Sequence, residues 1–182
     1  MTSSGVAPRL ESFALASSDK TTKGVMVVGI DPQRENRITL LKSKLTKGAY
    51  LNDTDHGVML SAGLADRLGL GVGDTVVMIG QGYHGATAAG KYRVKGIVRF
   101  GSPDLNEKVL FMTLTTAQDL YSAPDIATTY VVSPSDTKGL ATTASQVRAA
   151  LGVEYEVMTW EDIMPEIRQH MKADTNNMKY VE

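Results

Sequence analysis

Residues 24–30 read GVMVVGI and stop at Asp31-Pro32. Val25, Met26, Val27, Val28 and Ile30 would put apolar side chains on both faces of an extended segment. A strand of that kind has to be covered on both sides, so the chain needs layers above and below it. The residues just after the strand decide much else. Open sheets place their chemistry at strand C-termini, so Asp31 and Glu35 could form the edge of an active site. They equally fit the start of a helix. Asp is a favoured N-cap, Pro is favoured at the first helical position, and Glu in the first turn complements the helix dipole. Those preferences account for every residue, so Asp31-Pro32 reads as a helix start.

The helix is expected over about 32–47. Ile38, Leu41 and Leu45 fall three and four residues apart, Lys42, Lys44 and Lys47 lie on the other side, and Gly48 supplies the stop. A second unit of the same shape occupies the C-terminal part. A strand over 126–133 leads to a helix over about 137–151, striped by Leu140, Ala144, Val147 and Leu151 and ended by Gly152. A further strand is expected at 155–159.

The intervening part reads differently. Short strands are expected at 58–60, 75–80, 91–100 and 109–114, with a short helix at GLADRLGL. Thr115 and Gln118 match a capping box that opens another helix. In 91–100, Tyr92, Val94, Val98 and Phe100 alternate with Lys91, Arg93, Lys95 and Arg99. The expected fold class is therefore α+β, a discontinuous strand-helix-strand layer domain with an inserted β-rich subdomain. The boundaries are 1–53 and 126–182 for the first, 54–125 for the second.

Composition narrows the function classes. With 182 residues, 42% hydrophobic and 21% charged, the chain can bury a real core. A net charge of −1 and no interleaved exposed aromatics give no sign of a nucleic-acid partner. There are no cysteines, hence no disulfides, thiolate nucleophiles or cysteine metal sites. The start MTSSGVAPRL lacks the pattern of a signal peptide, and no apolar run approaches the ~20 residues that span a bilayer. As given, the chain reads as a soluble fragment.

Several strings imitate chemistry. GQGYHG (80–85) matches G-x-G-x-x-G and GATAAGK (85–91) matches the glycine and lysine positions of a P-loop. Both are followed by a strand instead of the phosphate-facing helix, so a Gly-rich hairpin loop is expected. His56, His84 and His170 are scattered, without ligand spacing. Neither G-x-S-x-G nor H-E-x-x-H occurs. No catalytic, cofactor or metal residue is expected. The basic row on 91–99 could meet an anionic headgroup or acidic partner, but lysine also protects strand edges, and that reading is preferred. Thr159 is a candidate N-cap with Glu161 and Asp162 behind it, Trp160 reads as a core anchor, and Pro165 should kink or restart the helix.

Taken in order, six strings carry a resemblance: VAPRL (6–10), GIDPQRE (29–35), LTKGAYL (45–51), GLADRLGLGVGDTV (63–76), YRVKGIVRFG (92–101) and MTWEDIMPEIRQ (158–169). The chain resembles the extracytoplasmic core domain of MacB-like, FtsX-type ABC transporter permeases, in the style of the lipoprotein-releasing LolC and LolE. The resemblance implies a porter-like subdomain from the outer segments and a sabre-like one from the middle. It implies a domain hung between membrane helices at the extracytoplasmic face of the bacterial inner membrane. Implied partners are a cognate cytoplasmic ABC ATPase, a second permease copy or paralogue, and a periplasmic or outer-membrane protein. No cofactor is implied.

Such permeases relay the ATPase stroke to export or release of amphiphiles, whether lipoprotein, peptide or drug. The positions that carry the family pattern are Pro8, Arg9, Gly29, Asp31, Pro32, Glu35, Gly48, Gly73, Asp74, Gly96, Gly101, Trp160 and Pro165. The family usually has a further strand and helix before VAPRL, so an unpaired strand edge is expected in the first subdomain. The rival reading is a stand-alone ligand- or protein-binding module, because L-x-L-x-x-G-D-x-V (68–76) also occurs in small β-barrels. An apolar stretch of ~20 residues beyond position 182 would favour the permease.

Overall fold

The computed structural model describes residues 5–134, 139–159 and Asp162. They divide into two compact units, one within Ser3–Ser133 and one from Pro134 onward. Trp160 and Pro165 lie outside the described residues.

Among the described residues, the first unit holds eight strands and four helices. In chain order they are β1 (Gly5–Ser17), β2 (Thr22–Ile30), α1 (Pro32–Thr39), a 3-10 turn (Leu41–Lys44), β3 (Leu45–Gly48), β4 (Val58–Ser61), α2 (Ala62–Leu68) and β5 (Thr75–Gln81). Then come β6 (Thr87–Val98), α3 (Pro103–Lys108), β7 (Val109–Thr113), α4 (Leu114–Tyr121) and β8 (Thr129–Ser133). The described part of the second unit contains α5 (Leu140–Leu151). The fold is thus mixed helix and strand with a dominant sheet, as the sequence leads one to expect.

The strand pairings return to their starting point. β1 pairs antiparallel with β2, β2 parallel with β7, and β7 antiparallel with β4. β4 then pairs parallel with β6, β6 antiparallel with β5, and β5 antiparallel with β1. β3 attaches to β6 and β8 to β1, outside this circuit. Strands from 5–30 and from 58–113 thus share one hydrogen-bonded circuit.

Alternation along the strands sorts side chains into two apolar clusters. One contains Leu10, Ala14, Val25, Val27, Leu60, Met78, Leu110 and Met112, joined by Leu64, Leu68, Leu120 and Tyr121 from α2 and α4. The other contains Val28, Ile30, Met59, Val109 and Phe111 with Leu41 and Leu51. Val25 and Val27 fall in the first and Val28 and Ile30 in the second, so GVMVVGI is covered on both faces.

Several element boundaries differ from expectation. The helix after Asp31 ends at Thr39, because Leu40 adopts a left-handed backbone with φ 54°. The chain then turns so that Leu45 can pair with Val98. Gly48 therefore caps no helix; it ends β3, with φ 76°. Thr113, not Thr115, caps α4, its Oγ1 accepting from the Thr116 amide at 3.3 Å. The strand expected from 126 begins at Thr129, and 155–159 carries no strand ladder. β1 was not anticipated: Arg9 and Glu11 share a row with Phe13 and Leu15, which blurs the alternation. The α3 turn was also unmarked. In β6 the alternation breaks where the register with β4 shifts between Val58 and Met59, leaving Gly96, Ile97 and Val98 all buried.

Candidate functional site

The first two resemblance strings meet in space. β1 pairs with β2 up to Arg9 opposite Ile30, which sets Arg9 beside the start of α1. There Glu35, one turn into α1, is 1% exposed. Arg9 donates from Nε to Glu35 Oε2 at 3.0 Å and from Nη2 to Oε1 at 2.6 Å. The planar guanidinium fork matches both carboxylate oxygens, which a lysine could not do. Thr39, one turn further along α1, donates its hydroxyl to the same Oε1 at 2.9 Å. Burial works against the Arg9 charge, but the two Glu35 bonds and Glu11 outweigh it and hold the guanidinium pKa above its usual range.

The turn into α1 is built as its sequence suggests. Asp31 accepts from the Arg34 amide at 2.9 Å, and Pro32 occupies the first turn. Tyr50 donates its hydroxyl to the Pro32 carbonyl at 3.0 Å, and burial next to Glu35 and Asp31 pushes its pKa up. On the other side, Glu11 accepts from Nη1 of Arg9 at 3.3 Å and from the Thr129 hydroxyl at 3.2 Å. β1 and α1 thus meet at a single guanidinium, and β8 joins through Glu11. Chemically this assembly is a staple. Glu35 is held by two arginine bonds, and Asp31 is committed to capping.

Other expected positions serve separate structural jobs. Pro8 lies one residue beyond the last β1–β2 pair, where its missing N–H interrupts no pairing with β2. Gly29 faces α4, and a Cβ there would overlap the Ala117 methyl. At Gly48 a side chain would run into the Lys95 carbonyl; Gly48 stands opposite Gly96. Gly73 donates its amide to the Val94 carbonyl at 2.8 Å, and the Asp74 carbonyl accepts from the Val94 amide at 2.8 Å. The Asp74 carboxylate accepts from the Gly71 amide at 2.7 Å, closing the turn into β5. Gly101 has open space where a side chain would go.

GQGYHG forms the turn between β5 and β6, and GATAAGK runs into β6 itself, so neither opens a helix. Lys95, expected on a basic face, instead pairs with Asp55. The Asp55 carbonyl accepts from the hydroxyls of Thr113 and Thr116 at 3.1 and 3.3 Å. Among the described residues no three His, Asp or Glu side chains group as a metal site. Thr39 at four residues from Glu35 carried a sequence signal for the staple; Glu11, Thr129 and Thr128, whose hydroxyl accepts from the Glu11 amide at 2.8 Å, carried none.

One concavity lies on the same sheet face as Val28. Phe13, Leu15, Met26 and Ile79 line it with Leu105 and Val109, and its volume is about 640 Å³. Phe13 is 76% exposed there.

A sequence model described as the MacB-like periplasmic core domain matches residues 3–150. The chain belongs to that family. It is a MacB-like extracytoplasmic core domain of ABC transporters, a non-catalytic part of the permease, and membership implies a cytoplasmic ATPase partner.

Solved structures agree on the fold. The extracellular domain of the ABC-type transporter YknZ from Gram-positive bacteria superposes with a TM-score of 0.60 at 15% identity, covering 85% of this chain and 81% of that one. The periplasmic region of MacB from Actinobacillus actinomycetemcomitans gives 0.54 at 14% identity, covering 80% of this chain and 66% of that one. No curated protein matches the chain. Among the described residues no helix is long and apolar enough to cross a membrane.

Proposed function

We propose that this MacB-like domain relays ATPase-driven displacement of permease membrane helices to the extracytoplasmic side. There the motion exports or releases an amphiphilic substrate such as a lipoprotein, peptide or drug. The observation that carries the reading is the family match over 3–150 together with the staple that joins its first two motif strings. A lever transmits force only if its parts do not yield separately, and a two-point buried ion pair resists such yielding. The working assembly pairs two permease copies or paralogues at the inner membrane, with a separate cytoplasmic ATPase. Trp160 and Pro165, near the C-terminal end, are our candidates for passing the motion on.

In the intact transporter, Pro165→Ala should leave ATP hydrolysis running while export falls. Export at the wild-type level would remove Pro165 from the relay.

The apolar concavity at Phe13, Leu15 and Ile79 supports a second reading, a binding module without a transport role. A transporter carrying Phe13→Thr separates the two. ATPase and export stay unchanged on both readings; the module reading alone expects wild-type protein to bind an apolar ligand that the variant loses, and no ligand binding by wild type removes it.

A further inference from the structure

Residues 36–52 contain Arg37, Lys42, Lys44 and Lys47 and no Asp or Glu, in a chain whose overall charge is −1. The segment runs from the last turn of α1 through the 3-10 turn and β3. It folds back on itself: the Lys42 amide donates to Asn36 Oδ1 at 2.8 Å, and the Ser43 hydroxyl to the Leu40 carbonyl at 2.7 Å. The neighbouring chain adds Arg99, whose amide donates to the Lys44 carbonyl at 2.9 Å. Arg37, Lys42, Lys47 and Arg99 are exposed. Lys44 lies over the Phe100 ring at 5.9 Å. No carboxylate among the described residues forms an ion pair with any of these five.

Between Arg37 and Lys42 in the chain stands Leu40. It is 62% exposed and sits at φ 54°, ψ 34°. That left-handed position after a helix ordinarily takes glycine or asparagine, because a Cβ is disfavoured there. A leucine at this place is unfavourable twice over, in backbone conformation and in apolar exposure. The backbone turn serves the fold by bringing Leu45 to Val98, but the turn itself does not call for an exposed leucine side chain. Strain of this kind is a pointer to function when an outside surface makes use of the side chain.

We propose that the Arg37–Lys47 segment docks on an anionic phospholipid bilayer, with Leu40 entering the headgroup region and the surrounding lysines and arginines facing lipid phosphates. An exposed apolar side chain on a segment whose only charges are positive is the composition that interfacial membrane contacts require. An acidic protein surface would satisfy the charges but would need an apolar socket shaped to Leu40, whereas a bilayer accepts the side chain without matching. The inference is independent of the relay reading, since docking requires neither ATPase nor substrate.

The test is flotation of the 182-residue chain with phosphatidylglycerol–phosphatidylcholine vesicles against phosphatidylcholine alone. Binding should require phosphatidylglycerol and weaken as ionic strength rises. Lys42→Ser and Lys47→Ser should each lower the vesicle partition constant roughly fivefold. Leu40→Gly should weaken binding while melting no lower than wild type, because it relieves the backbone and so separates docking from folding. Two results would overturn the proposal: no phosphatidylglycerol-dependent binding, or variants that bind vesicles like wild type.

Discussion

Arg9 grips Glu35, 26 residues further along the chain, through two hydrogen bonds of 3.0 and 2.6 Å. Glu35 is almost wholly buried while Arg9 keeps 22% of its side chain in solvent. The two partners are therefore unequal. Removing arginine strands a buried carboxylate, whereas removing both replaces a desolvated pair by apolar contact.

That inequality can be measured. Arg9→Met should destabilise the chain by about 3 kcal/mol, and Arg9→Met combined with Glu35→Leu should recover most of the loss. Urea denaturation of both singles and the double variant closes the cycle. Additive losses would mean the two side chains do not act as a unit.

Gly29 tests the seat of α4 on β2. Gly29→Ala should cost about 2 kcal/mol, since the new methyl meets the Ala117 methyl and the helix must shift. Pairing it with Ala117→Gly should cost less than the sum of the two single variants, since glycine inside α4 itself costs about 1 kcal/mol, and thermal melting of the singles and the pair reports whether that contact is the cause.

Tyr121 sets an alkaline limit. Its side chain is fully buried, and burial pushes the phenol up from 10.0 to about 12. A raised pKa means the unfolded chain ionises first. The stabilisation is complete below pH 10 and disappears as the pH climbs through about 12. Denaturant midpoints should fall between those values, and Tyr121→Phe should flatten the fall without abolishing it, because Tyr50 and Tyr92 are also shifted upward.

Phe13 gives the contrasting case. Being 76% exposed, it contributes little to folding, and Phe13→Thr keeps a strand-compatible side chain. Its stability should stay within about 0.5 kcal/mol of wild type. A larger drop in chemical denaturation would show that the concavity is structural.

The central strand and its helix start were legible in the residues themselves, because GVMVVGI and Asp31-Pro32 each satisfy local rules. The turn glycines between β5 and β6 were legible for the same reason. The hidden features were non-local. The end of α1 at Thr39 depends on Leu45 finding Val98, a partner far along the chain. β1 escaped notice because its polar row, Arg9 and Glu11, makes sense only once Glu35, Thr128 and Thr129 are beside it. Lys95 read as a solvated base because Asp55 lies on a separate segment.

The closed circuit of strands has a consequence for how the chain is made. Its first member must wait for a late one: Ala14 meets Gly80 and Ser17 meets Val77. During synthesis and passage to its working compartment, the opening hairpin of β1 and β2 therefore travels with both backbone margins unsatisfied, β1 awaiting β5 and β2 awaiting β7. Apolar Phe13 and Leu15 ride on that hairpin, so the nascent chain is most prone to wrong partnerships before Thr113 has emerged.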